Sequence, residues 1–146
     1  MELDAFVADS VVAAEGKLYA QGAGWNVINA SQLPTRHARI GLGLLVHVPY
    51  TATNVTHRFE VRLDDSDGGR VPLGESPTHE GRLYVVNGEF TVGRPPLLPA
   101  GDEQIVVIAL NFDGLVFEKA DAYNFVIEIN GEERKRLPIR VTRTAG

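Results

Sequence analysis

Residues 37–50 read HARIGLGLLVHVPY. The even positions are Ala38, Ile40, Leu42, Leu44, Val46, Val48 and Tyr50; the odd positions are His37, Arg39, Gly41, Gly43, Leu45, His47 and Pro49. Side chains of an extended chain point alternately to opposite faces, so one face here is apolar and the other mixed. The period is two, not 3.6, and the segment reads as a half-buried strand.

The same rhythm recurs along the chain. In Thr56–Asp64, His57, Phe59, Val61 and Leu63 face one way and Thr56, Arg58, Glu60, Arg62 and Asp64 the other. Tyr123, Phe125, Ile127 and Ile129 alternate with Asn124, Val126, Glu128 and Asn130, and Leu137, Ile139 and Val141 with Arg136, Pro138, Arg140 and Thr142. Gln104–Phe112 is apolar on both faces, which predicts a central strand covered on both sides.

Turn chemistry separates these runs. Asn130-Gly131 supplies two residues that tolerate positive φ, a strong hairpin signal. Asp67-Gly68-Gly69 and Asn87-Gly88 read the same way. Asp113-Gly114 reads as a bulge or bend, and Pro95-Pro96 and Pro99-Ala100-Gly101 interrupt the chain. The spacing predicts an all-β fold of roughly eight or nine short antiparallel strands, a sandwich or barrel. At the N-terminus Leu3, Phe6, Val7, Val11 and Ala14 fit a helical stripe. Leu3, Ala5, Val7 and Val11 also fit a strand, with Asp9 facing inwards as its flaw. Glu15-Gly16 as a turn and Lys17–Gln21 as a returning strand favour strand–turn–strand.

The 146 residues fit one domain, residues 1–146. With 44% hydrophobic and 23% charged residues the chain is neither disordered nor collagen-like. The net charge of −5 argues against a nucleic-acid coat. Without cysteine, disulfides, Cys-ligated zinc, iron–sulfur clusters and thiol catalysis are excluded. The first sixteen residues carry Glu2, Asp4 and Asp9 and no early basic residue, unlike a signal peptide. Ile105–Leu110 is far shorter than the ~18 residues that span a bilayer. A cytoplasmic location without membrane contact is the expectation.

The order of landmarks resembles a bacterial, largely actinobacterial, family of small β-sandwich proteins with no assigned function. It is carried by Val7-Ala8-Asp9, Gly16-Lys17-Leu18-Tyr19, Gly22-Ala23-Gly24-Trp25, Val48-Pro49-Tyr50 and His57–Leu63 running into Asp67-Gly68. Val92-Gly93-Arg94-Pro95-Pro96 and Tyr123-Asn124-Phe125 before Asn130-Gly131 complete it. Asp121-Ala122 stands where that family often holds Pro-Gly. The resemblance implies an immunoglobulin-like two-layer antiparallel β-sandwich. It implies no reaction and transfers no catalytic residue.

Candidate chemistry is sparse. Asp64-Asp65-Ser66-Asp67-Gly68 looks like part of a calcium loop, but an EF-hand with Gly68 as its sixth residue needs acids where Leu63 and Gly74 stand. A solvated hairpin turn is the plainer reading, with weak calcium binding by Asp64, Asp65 and Asp67 left open. Of His37, His47, His57 and His79, none forms a close ligand pair. Cross-strand pairing of His47 with His57 would still lack a third ligand. No nucleophile elbow, phosphate loop or paired acid and base stands out, so no catalytic residue, metal or cofactor is expected and the protein reads as no enzyme.

The C-terminal segment is more informative. Residues 132–146 hold five basic and two acidic residues, a net of +3, while the rest holds nine and seventeen, a net of −8. Arg134, Arg136 and Arg140 share one outward face in strand register. They protect an edge strand, or form an electrostatic stripe for an acidic partner, such as a second copy of this chain. Base-stacking aromatics do not interleave with them, which disfavours nucleic acid. Trp25 is a core plug or, with Tyr19 and Tyr50, a stacking platform. Leu97 and Leu98, in an extended Pro-rich segment, pack across a sandwich end or face a partner. The expectation is a non-catalytic module acting through protein contacts or self-association. The alternatives are a small-ligand or carbohydrate-binding sandwich and a structural part of a phage-like or other assembly.

Overall fold

The alternation over residues 37–50 becomes a fourteen-residue strand, Thr35–Val48, in a computed structural model that describes residues 1–75 and 81–144. Ile40, Leu42, Leu44, Val46 and Val48 on its even face are all buried. The described strands, in chain order, are β1 (Glu2–Ala8), β2 (Ser10–Ala14), β3 (Lys17–Gln21), β4 (Val27–Ala30), β5 (Thr35–Val48), β6 (Thr56–Asp64), β7 (Arg70–Val71), β8 (Gly74–Glu75), β9 (Arg82–Leu83), β10 (Val85–Thr91), β11 (Gln104–Phe117), β12 (Asp121–Ile129) and β13 (Glu132–Arg143). A 3-10 turn at Tyr50–Ala52 is the one other regular element among the described residues. The chain is all-β, as the alternation requires. It has more strands than the turn spacing predicts, in part because β7, β8 and β9 are two residues each, too short to show a period.

Two sheets carry the core. One has the order β1-β5-β11; the other runs β10-β6-β12-β13-β4, with β7 beside β6, and curls into half a barrel. Pairing is antiparallel except between β13 and β4. Side chains of both sheets meet in one cluster: Leu42, Leu44 and Val46 from the first, Val61, Phe125, Ile127 and Ile139 from the second. Phe112 stacks on Phe125 across it, ring centroids 5.8 Å apart. Each such side chain removed from water contributes about 1.5–3 kcal/mol.

The N-terminus forms strands, not a helix. Asp9 lies between β1 and β2, exposed, so the inward acid that flaws a continuous strand never arises. The β2–β3 hairpin, turning at Glu15 and Gly16, folds back over the outer face of the three-stranded sheet. Gly43 makes room for it: an added Cβ would lie 2.4 Å from the Phe6 ring and 2.7 Å from Leu18.

Three expectations need correction. Asn87-Gly88 is no turn; it lies inside β10, opposite Glu60 and Phe59. Gly88 is required there because a Cβ would stand 2.6 Å from the Phe59 ring. His47 and His57 do not pair, because β5 and β6 belong to different sheets. Gln104–Phe112 is not a central strand. β11 ends its sheet, and its apolar character on both faces has another cause, described next.

Candidate interaction surface

β11 is fourteen residues long and, among the described residues, pairs on one side only, with β5. Its inward residues Val106, Ile108 and Leu110 stand opposite Val46, Leu44 and Leu42. Those three β5 residues are sealed, whereas every residue from Val106 to Leu110 is partly accessible and Ile105 is 53% exposed. Across the same margin, Val86 and Phe90 of β10 are also half-buried against the core. The sheets therefore leave an apolar margin unsealed on this side. Gln104–Phe112 carries no charge, and the Lys or Pro that blunts many sheet edges is missing from it.

The ends of this edge are fixed by polar contacts. The Asn111 carboxamide accepts from Val11 N at 3.0 Å and donates to Val11 O at 2.8 Å, tying β2 to β11. At the start of the strand, His47 holds two carboxylates: Nδ1 lies 2.8 Å from Glu103 Oε1, and Nε2 2.7 Å from Asp4 Oδ2. The Glu103 and Asp4 hydrogen bonds raise the imidazole's pKa above its ordinary value. At the other end, Arg39 makes two bonds to Asp113, at 2.6 and 3.1 Å. Gly114, with φ +70°, bends the strand as Asp113-Gly114 suggests, and the Arg36 guanidinium lies beside it.

The sequence-predicted residues are placed apart from this edge and from one another. β13 is an edge only in its first part, since β4 pairs with Arg140–Arg143. Arg134 drops out of the expected row, because the register shifts between Ile127 and Glu128 and leaves it unpaired. Arg134 is held by Glu132 at 2.7 Å and Arg136 by Glu133 at 2.8 Å, so of the stripe Arg140 alone has no acid within 4 Å among the described residues. Trp25 is half-buried, packs on the core and tilts against His37 at 5.5 Å. Burial pushes the His37 pKa down. No ring contact joins Trp25 to Tyr19 or Tyr50 among the described residues; Tyr50 instead lies under Arg94, 4.0 Å from the ring centre. The stacking platform is thus not assembled. Leu97 is 95% exposed while Leu98 turns partly inward.

The aspartate loop is resolved by a residue the sequence does not flag. Lys119 Nζ sits among Asp65, Asp67 and Asp121 at 3.7, 3.4 and 3.6 Å. An ammonium occupies the centre that a cation would take. Ser66, chiefly through its hydroxyl, draws the Asp121 carboxyl down to about 2. Asp64 belongs to the outer sheet face and pairs with Arg62 at 3.1 Å. His57 is buried, with Nε2 2.7 Å from Ala52 O. His79 lies outside the described residues. A cleft of about 610 Å³ opens between β8 and the end of β11, with Arg36, Arg70, Arg82, Glu75, Asp113 and Glu118 in its wall. Acids and bases alternate there, so no single charge selects a ligand.

The chain is all-β, with its core between two sheets, and it belongs to the Family of unknown function (DUF6941), whose profile matches residues 3–142. No curated protein matches the chain. Among the described residues no helix is long and apolar enough to cross a membrane.

Proposed function

We propose that this chain is a non-catalytic, immunoglobulin-like sandwich module that acts through protein contacts. The strand order supports the architecture. β1-β5-β11 and β10-β6-β12-β13-β4 follow the A-B-E and C′-C-F-G-A′ orders of immunoglobulin sheets, with β4 parallel to β13. Tyr123, near the start of β12, donates its hydroxyl to Lys119 O at 2.8 Å, the bond of a tyrosine corner. In that scheme β11 is strand E, and a strand D would cover its free side.

A fold does not define a role; a surface does. The observation that carries the reading is the side of β11 over Gln104–Phe112, where no described strand pairs and backbone groups and half-buried apolar side chains await one. Strand addition satisfies both at once. A photo-cross-linking residue at Ile105, compared with one at Val27 on the opposite margin, tests it in the native cell. Protein adducts from position 105 and none from 27 are expected. Equal yields from both, or none from either, overturn the reading.

A further inference from the structure

We infer that His47 is a proton-operated clasp on the 93–103 loop: protonated, it grips Glu103 and Asp4 together; neutral, it lets Glu103 go. The clasp works whatever the β11 edge binds. The ring sits on the outer face of the three-stranded sheet, where Glu2 of β1 and Ile105 of β11 are its ladder partners. Nδ1 lies 2.8 Å from Glu103 Oε1 and Nε2 2.7 Å from Asp4 Oδ2. An ionised carboxylate only accepts, so both bonds need an N–H from the ring, and only the imidazolium has two. Once a proton leaves to water, the other ring nitrogen turns a lone pair on a carboxylate oxygen, and that contact is repulsive. No further acid lies within 4 Å of the ring among the described residues. Glu2, Asp102 and, at the tip of the β2–β3 hairpin that packs on this face, Glu15 and Lys17 are exposed. On β5 the flanking outward positions are Leu45 and Pro49, which carry no charge.

The two carboxylates are held unequally. Asp4 belongs to β1, whose backbone is paired to β5 from Glu2 to Ala8. Glu103 stands outside β11, next to the turn that Asp102 N closes on Pro99 O at 3.2 Å. A neutral ring therefore keeps Asp4 and releases Glu103. The loop concerned is otherwise tied by few groups. Arg94 pins its start by donating Nη2 to Tyr50 O at 3.1 Å, Leu98 N bonds to Pro95 O at 3.0 Å, and Gln104 donates Nε2 to Gly93 O at 2.6 Å. Without the Glu103 grip, Gln104 is the side-chain tie left at the far end. The loop carries Leu97, which is 95% exposed. The proton on His47 thus sets how firmly this leucine and the first rungs of β11 are held.

Amide exchange of the full chain at about pH 5.5 and about pH 8, each rate divided by the intrinsic rate at that pH, tests the clasp. Protection of the Leu98 and Asp102 amides should fall about two- to fivefold at the higher pH, the range of an exposed charged pair, while β12 stays unchanged. His47→Ala should leave the loop at the lower protection at both pH values. Asp4→Asn and Glu103→Gln should do the reverse of a simple lost contact. A carboxamide donates or accepts as the ring requires, so a neutral ring facing one carboxamide and one carboxylate has both nitrogens satisfied. In either variant the loop should stay as protected at the higher pH as at the lower. Equal protection of the parent chain at both pH values overturns the clasp. So does a pH-driven release that persists in both carboxamide variants, or one that spreads through β12.

Discussion

Asn111 and Val11, one hundred residues apart in sequence, are joined by two hydrogen bonds, 3.0 Å from Val11 N and 2.8 Å to Val11 O. A side-chain amide here substitutes for one rung of a β-ladder and docks the β2–β3 hairpin on the sheet. Asn111→Ala leaves both backbone groups of Val11 unpaired beside a buried side chain, a loss of about 1–3 kcal/mol. The loss should be local. Hydrogen exchange should quicken for amides of Val11–Ala20 and stay unchanged in β12. Uniform quickening throughout the chain would place Asn111 in the global fold instead.

His47 should make stability fall as pH rises. Both ring nitrogens face carboxylates, so the doubly protonated ring is the favoured form in the folded chain, and its pKa lies above the ordinary 6.5. A raised folded pKa stabilises fully below the unfolded value and is lost as pH climbs through the folded one. The His47 contribution should therefore fade as pH climbs above 6.5 while that of His37 moves the other way, so the melting-temperature advantage of the parent chain over His47→Gln should narrow over that range. Proton NMR should show the opposite shift for His37, whose burial beside Trp25 lowers its pKa. Coincident titration of the two rings would refute this assignment.

Lys119 should be the internal cation of its loop. Lys119→Ala leaves Asp65, Asp67 and Asp121 facing one another without a counter-charge. Stability at neutral pH should drop, and millimolar calcium should recover part of it, while the parent chain gains less. Equal calcium response in both proteins would show that the ammonium does not fill the site. The low Asp121 pKa, about 2, adds acid sensitivity. Its contribution is present above the ordinary carboxylate range and is lost as pH falls through about 2.

The legible parts of this fold are those where one residue's chemistry suffices. Leu42, Leu44 and Val46 announce a face because alternation is a local property. Asn130-Gly131 announces a turn because both residues do take positive φ, 52° and 81°. β11 was misleading because a strand apolar on both faces reads the same whether a neighbour strand or an open margin lies beside it. The candidate edge was therefore visible as a strand and invisible as an edge. Lys119 escapes notice because its three aspartates come together only after Asp121 is brought to the 65–67 turn. Arg134 was misplaced because a one-residue register shift against Glu128 reverses the parity on which an arginine row depends.

Asn87-Gly88 and Asn130-Gly131 are the same dipeptide with different reasons for glycine, and substitution should separate them. Gly131 has φ +81° and nothing within 4 Å, so Gly131→Ala costs backbone strain of about 1–2 kcal/mol and nothing in packing. At Gly88 the added methyl meets the Phe59 ring at 2.6 Å, and overpacking costs about 1–3 kcal/mol. The two losses are of similar size, so single variants do not distinguish them. A double-mutant cycle with Phe59→Leu does, because a branched aliphatic side chain withdraws the ring atoms that the methyl would strike. Gly88→Ala should cost less in the Phe59→Leu background than alone, whereas Gly131→Ala should add to Phe59→Leu without coupling. Denaturant midpoints at constant slope supply both cycles. Additivity at Gly88 would mean that its glycine serves the backbone of β10 and not the Phe59 ring.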